Sequence, residues 1–489
     1  MSNRDFKPGR MKKIQAVMLL SVFVLSGCLT QHKEEPKEKP VIQYYTIQVK
    51  PSLPEHTMAV KAEITVTIPA NVEEMTFCLN PEFSISSVTD EHGNTLTFEK
   101  NYDVVIVDVP LLSEPTQKKI TFQYEGQVYR RVLNVTWDYI GEEGLWVRSE
   151  YNWYPVVPKT AEMGCHFWEY WYNNYWAGVS VSSFWNCWHH TYWAGVTLSV
   201  EVPESWTVIS SGELISEDVH NPTKTYTWQE TQVIPSLNFV AGNYEVVKEL
   251  WNGKEITCYV YEHKESAHKY IDLSKEILDF YSDKFGEYPF QQFSIVELPE
   301  HAEYSSGKPS FVMLGSSLFE KDEKEVAHAL SEAIAYQWWG NAVLGYDTPS
   351  LLSLEVCLPS YVSLLFIKEQ YGEDEFRNYL TGYRTEVEET FAEYGGASIT
   401  DISAFIRGRG LKQRNAVILK TLLLFHALQE EVGEETFFEV LQTFLAEHRE
   451  KSVTMETLKE EFEQSSGKDL DQFFEQYYYG SDIPDIGFS

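Results

Sequence analysis

Three stretches of this sequence carry residue types that do chemistry. The first is "ALSEAIAYQWWGN", residues 329–341, with His328 just ahead of it. His328 and Glu332 stand four residues apart, which puts both on one face of a helix. An imidazole and a carboxylate so placed can share a metal ion. A hydrolytic metal site also needs a base for its bound water. The residues that follow the two donors are Ala329 and Ala333, so no base accompanies them. The second stretch, residues 162–193, gathers Cys165, His166, Cys187, His189 and His190 among many Trp and Tyr residues. Their spacing fits no zinc pattern. A Cys165–Cys187 disulfide closing an aromatic hairpin is the expectation, with exposed rings able to stack on sugars or peptides. Tyr-Trp-Ala-Gly-Val occurs at 175–179 and again at 192–196, so the hairpin reads as a local duplication. The third stretch is Leu25-Ser26-Gly27-Cys28.

That third stretch ends a secretory signal. Met11-Lys12-Lys13 supplies the positive start, and Ala16 to Leu25 an apolar core too short to span a bilayer well. Its ending resembles a lipobox, which makes residues 1–27 a signal peptide and Cys28 the lipidated first residue of the mature chain. "HKEEPKEKP", within residues 28–42, then reads as a solvated tether. The expected location is extracytoplasmic, lipid-anchored to the cell membrane. No other stretch is read as apolar enough to span one. A net charge of −34 over 489 residues argues against a nucleic-acid partner, because phosphates need a basic face. A hydrophobic fraction of 43% is enough for several packed domains. Five cysteines follow Cys28, and only Cys165 and Cys187 lie close in sequence.

Between residues 43 and 245 the pattern is that of strands. "MAVKAEITVTI" and "KKITFQYEG" alternate, "VVIVDVPL" reads as a buried run, and "LSVEVPESWTVISSGELI" as two strands. From residue 265 the period changes. Tyr270, Leu273, Ile277 and Phe280 or Tyr281 recur at helix spacing, and "FSIVELP" is a short strand. Helices are then expected over 322–343, 348–371, 374–393, 413–432, 434–448 and 453–464.

Several short pieces, in their order and spacing, resemble the M1 (gluzincin) aminopeptidases from about residue 43 to 485. They are Trp153-Tyr154-Pro155, Ser211-Gly212-Glu213, "SLNFVAGNYEVV", "FYSDKFGEYPF", "VELP", Gln337-Trp338-Trp339-Gly340-Asn341 and "SSGKDLDQFFEQ". The resemblance implies an α+β multidomain fold. Its parts are a β-sandwich domain over 43–245 carrying the insertion 162–193, a thermolysin-like α/β domain over 246–395 and a helical region over 396–489. It also implies where a zinc site would fall. The family places His-Glu-x-x-His directly before Gln-Trp-x-Gly. Anchored on Gln337, the metal positions are Glu332 and Tyr336, and the general-base position is Ala333. The third metal position, after eighteen intervening residues, is Glu355. The substrate-amine loop aligns with residues 300–303 and keeps only Glu303. The oxyanion tyrosine falls at about Lys412.

These replacements point away from hydrolysis. Loss of general-base help costs about 10²–10⁴ in rate. A phenol with a free pKa of about 10 ligates only after deprotonation, and two carboxylates with a phenol suit zinc less well than two imidazoles with a carboxylate. The expected function is binding of a peptide or protein partner by an inactive site, with no cofactor. Zinc enters only if the substituted site works, as Glu332, Tyr336 and Glu355 or as His328 with Glu332 and Glu355. That substituted-site aminopeptidase is one alternative, and an extracytoplasmic ligand-binding module built on the aromatic hairpin is the other.

Overall fold

Alternation organises the first half of the chain. In Val41–Ser52 and Thr57–Ile68, every second residue is apolar, and Ile47, Val49, Val60, Ala62, Ile64 and Val66 are all buried. The two strands pair antiparallel, with Ile47 opposite Ala62 and Val49 opposite Val60. The computed structural model describes residues 40–132, 135–158, 193–261, 263–401 and 411–487. The expected signal peptide, Cys28 and the Cys165–Cys187 pair lie outside the described residues.

These two strands sit inside a seven-stranded sheet. Its order is Glu213–Val219, Thr223–Ile234, Ala194–Pro203, Val41–Ser52, Thr57–Ile68, Thr116–Gln127 and Phe83–Asp90. A five-stranded sheet containing Thr207–Ser210, Phe239–Gly242 and Gly144–Val147 lies against it, and a three-stranded sheet adds Glu74–Cys78, Phe98–Asn101 and Val104–Asp108. Ring tips stitch the layers together. The Tyr226 hydroxyl donates to the Trp206 carbonyl at 3.0 Å and the Trp228 indole to the Val208 carbonyl at 3.1 Å. Burying an aromatic ring works here because its one polar atom finds a partner.

Two strand expectations change. The run read as buried forms Val104–Asp108, in which alternate residues are covered. The two strands expected in "LSVEVPESWTVISSGELI" are three, Ala194–Pro203, Thr207–Ser210 and Glu213–Val219, with the middle one in the other sheet. Gly212 turns the chain back, at φ +91°. A Cβ there would lie 2.2 Å from the Gln229 carbonyl. Cys78 is disulfide-bonded, which the sequence reading did not anticipate. Cys258 and Cys357 are free and buried, so its partner is not among the described cysteines.

The second half opens with a mixed sheet ordered Glu245–Trp251, Lys254–Val260, Phe293–Leu298, Phe311–Gly315 and Ser306–Lys308. Helix α1, Lys264–Phe285, buries Ala267, Tyr270, Ile271, Ser274, Ile277, Leu278 and Tyr281, one stripe at helix spacing. The helices that follow are α2, Glu323–Ala335, and α3, Thr348–Tyr371, which contains a π-helical stretch at Leu352–Cys357. Then come α4, Glu373–Tyr394, α5, Leu411–Val432, α6, Glu434–His448, α7, Met455–Ser466, and α8, Asp471–Tyr477. By length and composition α3 could cross a membrane, contrary to the sequence reading. Inside the protein 89% of its apolar window is buried, so its composition is that of a core helix. The mixed α+β architecture agrees with the expected fold class.

Candidate functional site

Helix α2 starts firmly. The Asp322 side chain accepts from the backbone N–H groups of Lys324 and Glu325, at 3.1 and 3.0 Å. The expected helix over 322–343 stops at Ala335. Gln337 is the reason the next turn leaves the axis. Its buried amide donates to the Lys308 carbonyl at 2.9 Å and accepts from the Ser310 N–H at 2.9 Å, tying the turn to the edge strand Ser306–Lys308. The Trp338 indole donates to the Gly286 carbonyl at 3.1 Å. Gly340 adopts φ +102° between the Tyr336 ring and Glu355: a Cβ there would stand 3.2 Å from Tyr336 Cδ1 and 3.7 Å from Glu355 Cβ.

One stripe of α2 enters the core through Val326, Leu330 and Ile334. The other, from Glu325 through His328, Ala329, Glu332 and Ala333 to Tyr336, walls a cleft of about 620 Å³. Across it stand Glu303 to Ser306, Ser317 and Trp137, with Tyr379 of α4 at its margin. The strand Ser306–Lys308 closes tightly on the helix. A Cβ on Gly307 would sit 2.2 Å from the Ala333 carbonyl and 2.7 Å from Tyr336 Cβ.

The sequence-derived positions separate into those that share the cleft and those that do not. Glu303, His328, Glu332, Ala333 and Tyr336 line it together. Glu332 is held by Ser360 of α3, whose hydroxyl donates to Oε1 at 2.6 Å. Glu355 is buried in the π-helical stretch and accepts the Gly345 backbone N–H at 2.7 Å. The ring of His328 packs on Tyr379 at 5.1 Å. Burial lowers its pKa from the ordinary value, and the nearby Glu332 charge pulls the other way. Glu303 accepts from the Ser316 hydroxyl at 3.4 Å and from that of Ser317. Lys412 is on the surface, 70% exposed and 3.8 Å from Glu393, and is not among the residues lining the cleft.

This donor set does not fit zinc. Among the described residues, groups of three His, Cys, Asp or Glu donors within 4.8 Å occur at Glu447–His448–Glu461 and Glu463–Asp469–Asp471, both away from the cleft. His328, Glu332 and Glu355 therefore do not gather, and the displaced His-Glu-Glu arrangement is not formed. Glu332, Tyr336 and Glu355 offer two carboxylates and a phenol, which suit zinc less well than two imidazoles and a carboxylate. The Glu463 cluster in turn surrounds the ammonium of Lys459, which pairs with Glu463 at 3.7 Å and also with Asp471.

On the wall opposite α2, sequence reasoning found Glu303 and missed the rest. Trp137 and Tyr304 stack at 4.8 Å and 20°, and the Arg148 guanidinium lies 5.0 and 4.9 Å from their rings. Behind them Asp138, fully buried, accepts from Arg148 at 3.3 and 3.1 Å and pairs with Arg130 at 2.5 Å. Glu150 pairs with Lys308, whose pKa is lowered by burial against that attraction. Nothing in the spacing of these residues announces the network, because successive strands between Tyr129 and Val147 meet Tyr304 and Lys308 from far along the chain. Ser360 was missed for the same reason.

Comparison with known proteins agrees with this architecture. Residues 270–477 match the Peptidase family M1 domain. Aminopeptidase M1-B of Oryza sativa subsp. japonica is 23% identical over 291 residues, 55% of this chain and 32% of that protein. Aminopeptidase N of Lactococcus lactis subsp. lactis is 21% identical over 300 residues, 57% and 35% respectively. The chain thus spans about a third of the length of these curated relatives. A crystal structure of an M1 zinc metallopeptidase variant from Deinococcus radiodurans, bound to a Tyr-Ser-Ala substrate, superposes with a TM-score of 0.67 at 16% identity. The match covers 92% of this chain and 96% of that one. The fold is that of the M1 zinc metallopeptidases. The resemblance read from the sequence holds, and the family match falls on residues 270–477.

Proposed function

We propose that this is an exported, lipid-anchored M1-like protein that binds a peptide, or a partner's peptide segment, in its cleft without hydrolysing it. One observation carries the reading: the cleft keeps a carboxylate at the amine-binding position, Glu303, while the hydrolytic positions are Glu332, Ala333 and Tyr336. Ala333 supplies no base, and Glu332 and Tyr336 stand where the two imidazole ligands would be. Binding needs only the walls and the carboxylate. Hydrolysis needs the metal and base as well. Export and anchoring rest on Met11 to Cys28, and Cys28→Ser is expected to release the protein from membranes or leave its precursor uncleaved.

The test is direct. Purified protein should carry no stoichiometric zinc, leave aminoacyl reporter substrates intact with or without added zinc, and still bind short peptides by calorimetry. Zinc-dependent turnover by the unmodified chain, abolished by Glu355→Ala, would refute the inactive reading in favour of the substituted-site peptidase.

A further inference from the structure

Charge bookkeeping in the cleft points to the ligand. Of its carboxylates, Glu325 is paired with Lys321 at 3.6 Å. Glu303 and Glu332 have hydroxyl donors only, from Ser316, Ser317 and Ser360. Among the described residues, no Lys, Arg or His nitrogen comes within 4.0 Å of either. A hydroxyl fills a lone pair but leaves the charge uncancelled, and partly buried carboxylates without a counter-ion are costly unless a cation arrives. The walls suit one. Trp137, Tyr304 and Tyr379 add aromatic lining, although Arg148 already lies against the first two rings and His328 against the third.

We propose that the cleft selects peptides beginning with Arg or Lys, the α-ammonium meeting Glu303 and the side-chain cation meeting Glu332. This rests on the peptide-binding reading above and gives Glu332 a role different from metal ligation. Glu332 then anchors the basic side chain, held in aim by Ser360 from α3.

The experiment is calorimetry on the full detergent-solubilised chain with three probes: Arg-Ala-Ala-amide, Ala-Ala-Ala-amide and N-acetyl-Arg-Ala-Ala-amide. The Arg peptide is expected to bind about ten-fold more tightly than the Ala peptide, the usual gain from one charge-assisted contact. Glu332→Gln, which keeps an acceptor for Ser360, should remove that preference, the Arg peptide's affinity falling to about that of the Ala peptide. Glu303→Gln should weaken both free-amine peptides, and acetylation should mimic it. In the unmodified chain, raising salt from about 50 to 500 mM should shrink the Arg-to-Ala ratio, a readout that needs no variant. Equal binding of the Arg and Ala peptides, or equal loss of both in Glu332→Gln, overturns the inference and leaves peptide binding standing. No binding by any probe overturns both.

Discussion

Replacing Glu332 with His, Ala333 with Glu and Tyr336 with His in one variant asks whether side-chain identity alone separates this cleft from a metal site. All three positions line the same cleft, whereas Glu355 is not among its lining residues. The main cost falls on Glu355. To face a metal it must give up or share the Gly345 N–H it now accepts at 2.7 Å. A hydrogen bond to a charged group is worth about 1.5–3 kcal/mol, which weakens zinc binding by about 10- to 100-fold. Structural zinc sites supply about 10 kcal/mol or more. Subtracting the penalty leaves at least about 7 kcal/mol, a dissociation constant in the low micromolar range or tighter. Dialysis against zinc followed by elemental analysis should therefore find about one equivalent in the variant and almost none in the parent. Lys412→Tyr should add nothing to turnover, because Lys412 stands on the surface beside Glu393. A variant that folds by circular dichroism yet holds no zinc at tens of micromolar would refute the claim that the cleft geometry survives intact.

Three further outcomes are expected. Gly307→Ala should destabilise by about 2–3 kcal/mol in chemical denaturation, because the added methyl meets the Ala333 backbone carbonyl at 2.2 Å and the strand must lift off α2. Lys420 is fully buried and donates to the Ala397 and Gly480 carbonyls at 3.1 and 2.8 Å, and burial, partly offset by Asp482, lowers its pKa to about 8. The unfolded chain holds that proton up to about pH 10.4, so between the two values unfolding takes up a proton and stability rises with pH. Urea midpoints should show a gain of about 3 kcal/mol over that window, a slope that disappears in Lys420→Met. Peptide mapping without reductant should find Cys78 joined to another cysteine, with Cys258 and Cys357 as thiols. A linear peptide carrying Cys78 as a thiol in freshly purified protein would contradict it.

The elements were largely legible because their periodicity is strong. Glu434–His448 has the bounds the pattern predicts, and Lys264–Phe285 buries the stripe that Tyr270, Ile277 and Tyr281 announce. The errors fell where a single side chain reaches across the fold. Spacing alone extended α2 to residue 343, but the Gln337 amide ends the helix by holding the edge strand. Of the site, the members on α2 were legible, since helix spacing fixes which residues share a face. Ser360, Tyr379 and the Trp137–Tyr304 pair were not. Ser360 and Tyr379 come from other helices, Trp137 from the β-rich half and Tyr304 from the loop beside Glu303, and only the tertiary fold brings them together.

Glu355 shows why a motif fragment is weak evidence for chemistry. Its distance from Tyr336 matches a third metal ligand, and by spacing alone it argues for zinc. In the structure that carboxylate closes a different account: it satisfies the buried Gly345 N–H, and Gly345 itself is packed so closely that a Cβ would lie 2.1 Å from the Leu351 N. Removing the Glu355 carboxylate takes that acceptor from a buried N–H, a loss of about 1–3 kcal/mol. The same holds for Gln337 and Trp338, whose polar atoms secure the edge strand and the end of α1. Each of these residues is required by the packing around α2, whether or not a metal is bound. Only Glu332, Ala333 and Tyr336 are left to report on the reaction, and none of the three supplies what hydrolysis needs.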